Sequence, residues 1–192
     1  MSVLAKMNRR ISLGHFKPGI WAAVGIQGVI GIGWSTSFTY LSLYLYQERH
    51  ISMTMIGLVL LTSGVSSALC QVIGGITADR FGHRRMVILY QLAGLLASAA
   101  LAVLIGINAP TWSVTLSAIL VPTLGGMAGP PLLAIIANIS QKSRMTESYG
   151  LMAITGNIGW AIGPLTGGYL LGFTSFTWLF AASVACLLLP LY

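Results

Sequence analysis

Acid–base, nucleophilic or metal chemistry in this chain would have to come from a small set of side chains. The acids and histidines together number six: Glu48, Asp79, Glu147, His15, His50 and His83. They lie in the connections or at the ends of long apolar segments, too scattered to suggest the ligand spacing of a metal site. Serines are abundant, but no acid or histidine lies inside an apolar segment to serve as the base of a hydrolase. We therefore expect no enzyme, no metal site and no cofactor.

The segments that must position any functional residue are long and apolar. Hydrophobic residues make up 56% of the chain and charged residues 7%, with a mean hydropathy of +0.85. Soluble domains carry about 25% charged residues, and a helix that crosses a bilayer needs about 20 apolar residues. The sequence therefore predicts an all-α integral membrane protein, a bundle of six transmembrane helices. Their expected bounds are 19–46, 54–78, 86–106, 112–138, 149–173 and 175–192, after a cytoplasmic segment at 1–18.

Basic residues distinguish the two sides of this bundle. Nine of the ten fall in the amino-terminal segment and in the second and fourth connections: Lys6, Arg9, Arg10, Lys17, Arg80, Arg84, Arg85, Lys142 and Arg144. Only Arg49 falls on the other side. Because Lys and Arg favour cytoplasmic ends, we expect both termini in the cytoplasm and a multi-pass protein of the plasma (inner) membrane. The basic residues form no continuous stripe, so we expect no nucleic-acid partner.

The connection after the second apolar segment carries the most specific motif. It runs from Gly75 through Asp79, Arg80, Gly82 and His83 to Arg84 and Arg85. This resembles the signature G-x-L-A-D-R-x-G-R-[KR] of the major facilitator superfamily, with Thr77 in place of Leu and His83 in place of the first Arg. The resemblance implies a conformational latch made of six residues: Gly75, Asp79, Arg80, Gly82, Arg84 and Arg85. A plain cytoplasmic anchor is the alternative.

The fifth apolar segment carries a second motif, which consists of Gly159, Gly163, Pro164, Gly167 and Gly168. It resembles the G-x-x-x-G-P-x-x-G-G pattern of the antiporter branches of the same superfamily. Glycines four residues apart allow two helices to approach closely, and a proline removes one helical hydrogen bond. We therefore expect a hinge or packing seam here. A generic contact between small residues is the alternative.

Together the two motifs imply the fold of the amino-terminal half of the superfamily, with six helices in 3+3 inverted repeats. In that fold the first helix lines the central cavity. On a helical projection Gln27, Trp34, Ser35 and Phe38 share an arc of about 100°, and Asn157 and Trp160 share a face of the fifth segment. These six residues are the candidate substrate cavity. Their alternative role is hydrogen bonding and packing between helices.

Two departures bear on ion coupling. Many drug-exporting relatives carry an Arg within the fourth span, and this segment has none; Asn138 also stands where they place an Asp. The partner of Arg84 or Arg85 would then be Glu147 or a group in the other half. No acid lies at membrane depth, so a coupling acid is expected outside this chain.

The resemblance thus implies a secondary transporter that moves a small neutral or amphipathic solute by alternating access, with export by proton antiport favoured. A receptor or scaffold that kept the fold is the alternative, and an intramembrane hydrolase is disfavoured. The last span runs to Tyr192 without a polar tail, so we expect a fragment or a half-sized protein. The expected partners are a small-molecule substrate, the lipid bilayer, and either a missing carboxy-terminal six-helix half or a second half-sized chain.

Overall fold

The computed structural model describes residues 18–188, which form seven α-helices that make up six spans. The helices are α1 Pro18–Gln47, α2 Met53–Phe81, α3 His83–Gly106, α4 Thr111–Gly126, α5 Gly129–Ile139, α6 Met145–Leu171 and α7 Phe176–Leu188, and a 3-10 turn, Lys142–Arg144, precedes α6. No strand occurs in this part of the chain. The all-α prediction is confirmed. Residues 1–17 of the expected cytoplasmic segment 1–18 and the last four residues of the sixth span lie outside the described residues.

Local sequence explains where the helices begin and end. Ser52 caps α2 by accepting a hydrogen bond from the backbone N–H of Met55 at 3.4 Å. Gly82 alone separates α2 from α3, with φ of +97°, a conformation that favours glycine. Asn108 adopts φ of +51° in the turn before α4. The 3-10 turn Lys142–Arg144 leads directly into α6, which begins at Met145.

The fourth span, Thr111–Ile139, has an interruption of its helical hydrogen bonding near its middle. α4 ends at Gly126 and α5 begins at Gly129, so Met127 and Ala128 form the junction. Proline lacks a backbone N–H, and the two prolines that open α5 therefore cannot continue the hydrogen bonding of α4. On the α4 side of the junction, Cβ atoms added at Gly125 and Gly126 would crowd Trp34 and Ser67, so glycine is needed at both positions. Met127 and Ala128 keep helical backbone angles, so the interruption is local and Thr111–Ile139 remains one span.

The packing of the spans has a 3+3 pattern. α1 packs most extensively on α6 and also on α7, while the fourth span packs on α2 and α3. If spans one to three are exchanged with spans four to six, the contacts of α1 with α6 and α7 become the contacts of the fourth span with α2 and α3. The contact between α3, the third span, and α7, the sixth, is unchanged by this exchange. This is the pattern expected of inverted repeats. One buried cluster includes Leu45, Val114 and Phe180, and a second, near the other end of the bundle, includes Ile20 and Ile136.

Length and hydropathy agree with a membrane setting. Three segments are both long and apolar enough to cross a bilayer by themselves: Met53–Phe81, His83–Gly106 and Thr111–Ile139. The two helices of the α1–α6 pair have the length, 30 and 27 residues, but many glycine, serine and threonine residues interrupt them. These small and polar residues mark the surfaces on which the two helices meet each other.

Candidate solute cavity and its supporting motifs

A cavity of about 420 Å³ opens between α1, α2, α3, the fourth span and α6. We call it the solute cavity. It is lined by Gln27, Ile30, Gly31, Trp34, Phe38, Ser67, Gln71, Gln91, Pro122, Gly125, Gly126, Ala128, Gly129, Leu132 and Trp160. Four of the six residues expected from the sequence therefore lie on its wall. The volume is within the range of sites for small organic molecules, about 300–1,000 Å³.

Aromatic rings form one part of the wall. Phe38 on α1 and Trp160 on α6 make an edge-to-face pair with ring centroids 6.0 Å apart and planes at 64°. Both rings are partly exposed, Phe38 by 37% and Trp160 by 48%. Edge-to-face pairs of this kind are favourable in themselves, so the rings stay in place while their outer surfaces remain free for a ligand.

The third ring, Trp34, sits in a slot between two glycines. A Cβ added at Gly125 of α4 would overlap Cζ2 and Cη2 of the indole and lie 3.2 Å from Cε2. A Cβ added at Gly94 of α3 would lie 3.6 Å from Cζ2. Only glycine at position 125 leaves room for the indole in this orientation. The slot fixes Trp34 as a flat wall of the solute cavity.

Primary amides from three different helices form the polar part of the wall: Gln27 on α1, Gln71 on α2 and Gln91 on α3. Ser67 donates a hydrogen bond to the Pro122 carbonyl at 2.9 Å, and the Gln71 amide lies 3.4 Å from the Ser67 oxygen. Each amide can both donate and accept, so the wall can match polar groups of either kind. No side chain with a fixed charge is among the lining residues.

Ser35 and Asn157, the other two expected cavity residues, lie elsewhere. Ser35 is fully buried and donates to the Gly159 carbonyl of α6 at 3.2 Å. Its position on α1 is one residue, or about 100°, beyond Trp34, which turns it from the solute cavity into the contact with α6. Asn157 is exposed on α6 and does not line the cavity. Ser35 therefore has the alternative role, hydrogen bonding between helices.

The glycine motif of the fifth span faces α1 and forms a close helix–helix seam. Gly159, Gly163 and Gly167 are buried, and a Cβ added at Gly159 would lie 2.5 Å from the Gly28 carbonyl oxygen. Thr36 of α1 donates to the Gly163 carbonyl at 3.2 Å.

Two further residues of the motif meet a single tyrosine. Tyr40 donates to the Pro164 carbonyl at 2.7 Å, and a Cβ added at Gly168 would lie 2.7 Å from the Tyr40 hydroxyl. Hydroxyl donors from α1 thus satisfy carbonyls of the proline-containing turn. This geometry is that of a packing seam.

The loop motif lies at the end of the bundle where α2 meets α3. His83 Nε2 lies 3.2 Å from Asp79 Oδ1, while 75% of the Asp79 side chain stays exposed. The Arg80 guanidinium lies 5.5 Å from the centroid of the neighbouring Phe81 ring. Arg84 and Arg85 are exposed, and neither forms an ion pair with Glu147 in the part of the chain that the structure covers. The histidine that replaces an arginine of the signature therefore serves as the partner of Asp79.

The close approach of α2 to the fourth span occurs at Gly74, one residue before the loop motif begins. A Cβ added at Gly75 would lie 3.7 Å from Pro130 Cβ, an ordinary contact, but one added at Gly74 would lie 2.5 Å from the Met127 carbonyl oxygen. Gly74 therefore brings α2 against the interruption in the fourth span. Nothing lies within 4 Å of a Cβ added at Gly82, so that glycine is required for its positive φ alone.

Six spans in a 3+3 arrangement with a polar and aromatic cavity between them define a polytopic membrane protein. The sequence profile described as Major Facilitator Superfamily matches residues 23–191. The chain belongs to the Major Facilitator Superfamily.

Curated relatives are similar at low identity. The chain is 28% identical over 158 residues to a Na(+), Li(+), K(+)/H(+) antiporter of Planococcus maritimus, which covers 80% of this chain and 36% of the relative. It is 26% identical over 137 residues to Multidrug resistance protein 2 of Bacillus subtilis (strain 168), with coverages of 71% and 33%. For Multidrug resistance protein MdtH of Shigella sonnei (strain Ss046), the identity is 25% over 146 residues, with coverages of 74% and 35%. The chain spans about a third of the length of these relatives.

Solved structures give the same fold. A crystal structure of a mutant peptide transporter POT in complex with sulfate superposes with a TM-score of 0.78 at 20% identity, over 90% of this chain and 36% of the other. An in meso crystal structure of the POT family transporter PepTSo has a TM-score of 0.78 at 15% identity, with coverages of 90% and 35%. The expected fold class, a six-helix half of the superfamily fold, is confirmed.

Proposed function

We propose that this chain is one six-helix half of a secondary transporter that carries a small neutral or amphipathic solute by alternating access. The solute cavity is the observation that supports this most directly, because it combines three amides with three aromatic rings and no fixed charge. The amides can bind polar groups of a solute, and the rings can contact its apolar part. A charged solute would lose its hydration here without a counter-ion, which favours neutral solutes.

We infer that the transporter exports its solute by proton antiport and that the coupling acid lies in another half. The printed names of relatives, an antiporter and multidrug resistance proteins, support this class of transport. The chain has three acids, Glu48, Asp79 and Glu147, and none lines the solute cavity. The other half is either further along the same polypeptide or a second chain. Relatives about three times as long as the matched part are consistent with both.

We also propose that the loop from Gly75 to Arg85 latches one conformation on the cytoplasmic side of the plasma (inner) membrane. The exposed carboxylate of Asp79, next to His83, is free to contact another half, and Arg80, Arg84 and Arg85 supply positive charge around it. The Gly159–Gly168 seam with α1 would hold the two helices together as the bundle rocks. Pro164 within α6 allows that helix to bend.

Proton-coupled exchange can be tested in everted membrane vesicles that contain the natural gene product carrying this chain. A proton gradient is established and monitored with acridine orange, and three probes are added in turn: chloramphenicol as a neutral amphiphile, tetraphenylphosphonium as an organic cation, and NaCl. We expect the neutral amphiphile to dissipate the gradient. Absence of gradient dissipation by all three probes, with protein present in the membrane, would refute antiport.

The Asp79→Asn variant separates a transporter from a receptor or scaffold of the same fold. If the loop is a latch, this variant should lose at least about 90% of solute-driven dissipation while it keeps expression and chloramphenicol binding, because one carboxylate of the latch is gone. Glu147→Gln is the matched control, since Glu147 also lies at the end of a span. Wild-type turnover by Asp79→Asn would contradict the latch.

A further inference from the structure

A second cavity, of about 390 Å³, lies at the end of the bundle opposite to the Asp79 loop. We call it the distal cavity. It is an open cavity lined by the ends of α1, α3 and α6 and the beginning of α7, and it shares no lining residue with the solute cavity. On α1, Leu43 of the distal cavity is five residues beyond Phe38, about 7.5 Å along the helix. The two cavities are therefore separate sites.

The distal cavity has a negative electrostatic character. Glu48 is the lining residue with a full charge, and its carboxylate forms no ion pair within residues 18–188. Three helices, α1, α3 and α6, end at this cavity, and a helix carboxyl end carries a partial negative charge of about half an elementary charge. Only α7 presents its amino end here. A cation is thus favoured over an anion.

Arg49, the basic residue next to Glu48 in the sequence, is engaged by Tyr44. Arg49 is not among the lining residues; its Nε donates to the Tyr44 hydroxyl at 2.6 Å, and its guanidinium carbon lies 5.4 Å from the centroid of the Tyr44 ring. These contacts place the Arg49 guanidinium against Tyr44, and Arg49 forms no ion pair with Glu48 in the described part of the chain. The carboxylate of Glu48 is left available to a positively charged ligand.

The remaining wall has both polar groups and an apolar surface. Gln47, Asn108 and Thr174 supply oxygen acceptors, while the half-buried Phe176, in an edge-to-face pair with the buried Tyr44 at 5.4 Å between centroids, supplies apolar surface. An ammonium group needs several acceptors, and an attached hydrocarbon needs rings or aliphatic carbon. We propose that the distal cavity binds the ammonium group of an amphiphilic amine, with Glu48 as its counter-ion. The amine is either a lipid headgroup or a soluble compound.

The test uses the purified chain in lipid nanodiscs and two small probes of the same shape. 2-Phenylethylammonium carries the charge, and 2-phenylethanol is its neutral counterpart; binding is measured by saturation-transfer NMR and calorimetry. The ammonium probe should bind at least about 10-fold more tightly than the alcohol, as a charge-assisted hydrogen bond predicts. Glu48→Gln should remove that difference, and Glu147→Gln should not. Equal affinity of the wild type for both probes would overturn the proposal.

Two further measurements test whether the ammonium probe binds in the distal cavity. Gln27→Leu, in the solute cavity, should leave ammonium binding unchanged; loss of binding in this variant with retention in Glu48→Gln would place the probe in the solute cavity and overturn the proposal. Glu48 is exposed, so Glu48→Gln should melt at the wild-type temperature. Because only the distal cavity is probed, failure here would leave the transport test above unaffected.

The lipid composition of the nanodiscs is varied to find out whether the bound amine is a lipid headgroup or a soluble compound. Nanodiscs of phosphatidylglycerol alone are compared with nanodiscs in which half of the lipid is phosphatidylethanolamine. Weaker probe binding in the second case, seen in the wild type but not in Glu48→Gln, identifies a lipid amine as the occupant. Unchanged binding identifies a soluble amine. Both results support an ammonium site and differ only in its source.

Discussion

The slot that holds Trp34 gives the sharpest prediction about the solute cavity. In the Gly125→Ala variant the added Cβ would overlap Cζ2 and Cη2 of the indole and lie 3.2 Å from Cε2. α4 cannot move away easily, because a Cβ placed at Gly94 of α3 would already lie 2.8 Å from the Gly125 Cα. The indole must therefore tilt, and the open side of the slot is the solute cavity.

The added methyl group overpacks the slot, and overpacking of this kind costs about 1–3 kcal/mol of free energy. If that cost falls on solute binding, the KM for a transported neutral solute rises by about 5- to 150-fold. The assay is the initial rate of chloramphenicol transport in proteoliposomes as a function of concentration. Gly129→Ala is the matched control, since Gly129 also lines the solute cavity but nothing lies within 4 Å of its added Cβ. Its KM should stay within about twofold of wild type.

A second substitution, at Trp34, should partly restore the solute affinity that Gly125→Ala removes. The atoms that the added Cβ meets, Cζ2 and Cη2, belong to the outer ring of the indole, so Trp34→Phe combined with Gly125→Ala should recover part of the lost affinity. A Gly125→Ala protein with the same KM as Gly129→Ala would refute the slot. A loss of thermal stability without a change in KM would show that the added methyl group acts on packing alone.

The seam between α1 and α6 supports two further predictions, both checked by thermal unfolding in detergent. The Gly163→Ala variant should lower the free energy of unfolding by at least about 1–3 kcal/mol, because its Cβ would lie 2.8 Å from the Thr36 backbone nitrogen. The control is Gly25→Ala on α1, where no atom lies within 4 Å of the added Cβ. Equal stability of the two variants would contradict the seam. The Tyr40→Phe variant should lower the free energy of unfolding by about 0.5–1.5 kcal/mol, because it loses the hydrogen bond to the Pro164 carbonyl. Tyr46 is an exposed tyrosine of the same helix, so Tyr46→Phe should leave the stability unchanged.

Apolar length predicts the six spans, but helix faces are harder to assign from sequence. A membrane helix is apolar on nearly every side, so α2 and α3 have no polar face to show that Gln71 and Gln91 point inward. These amides inside apolar segments were a visible signal, and only the packing of α2 and α3 places them in the solute cavity. On α1 an arc of about 100° was too coarse, because it grouped Ser35 with Trp34 although the two face different neighbours.

The interrupted fourth span shows a second limit. Gly125, Gly126, Gly129 and the prolines that follow are plain in the sequence, yet proline inside a membrane helix is compatible with a continuous kinked helix as well as with a local interruption. The choice depends on the neighbours. Gly74 of α2 lies against the Met127 carbonyl, and Ser67 donates to the Pro122 carbonyl, so α2 supports both sides of the junction. Contacts between distant parts of the chain decided this feature.

The claim that the uncharged cavity carries the solute is tested most directly by one rate comparison. Chloramphenicol transport is measured in proteoliposomes for Gln27→Leu, which removes an amide from the solute cavity, and for Gln141→Leu, which removes one from an exposed connection. We predict that Gln27→Leu lowers the transport efficiency by about 10-fold, as expected for one lost hydrogen bond with a buried partner, and that Gln141→Leu matches the wild type. Equal transport by the two variants would contradict the assignment of this cavity as the solute site.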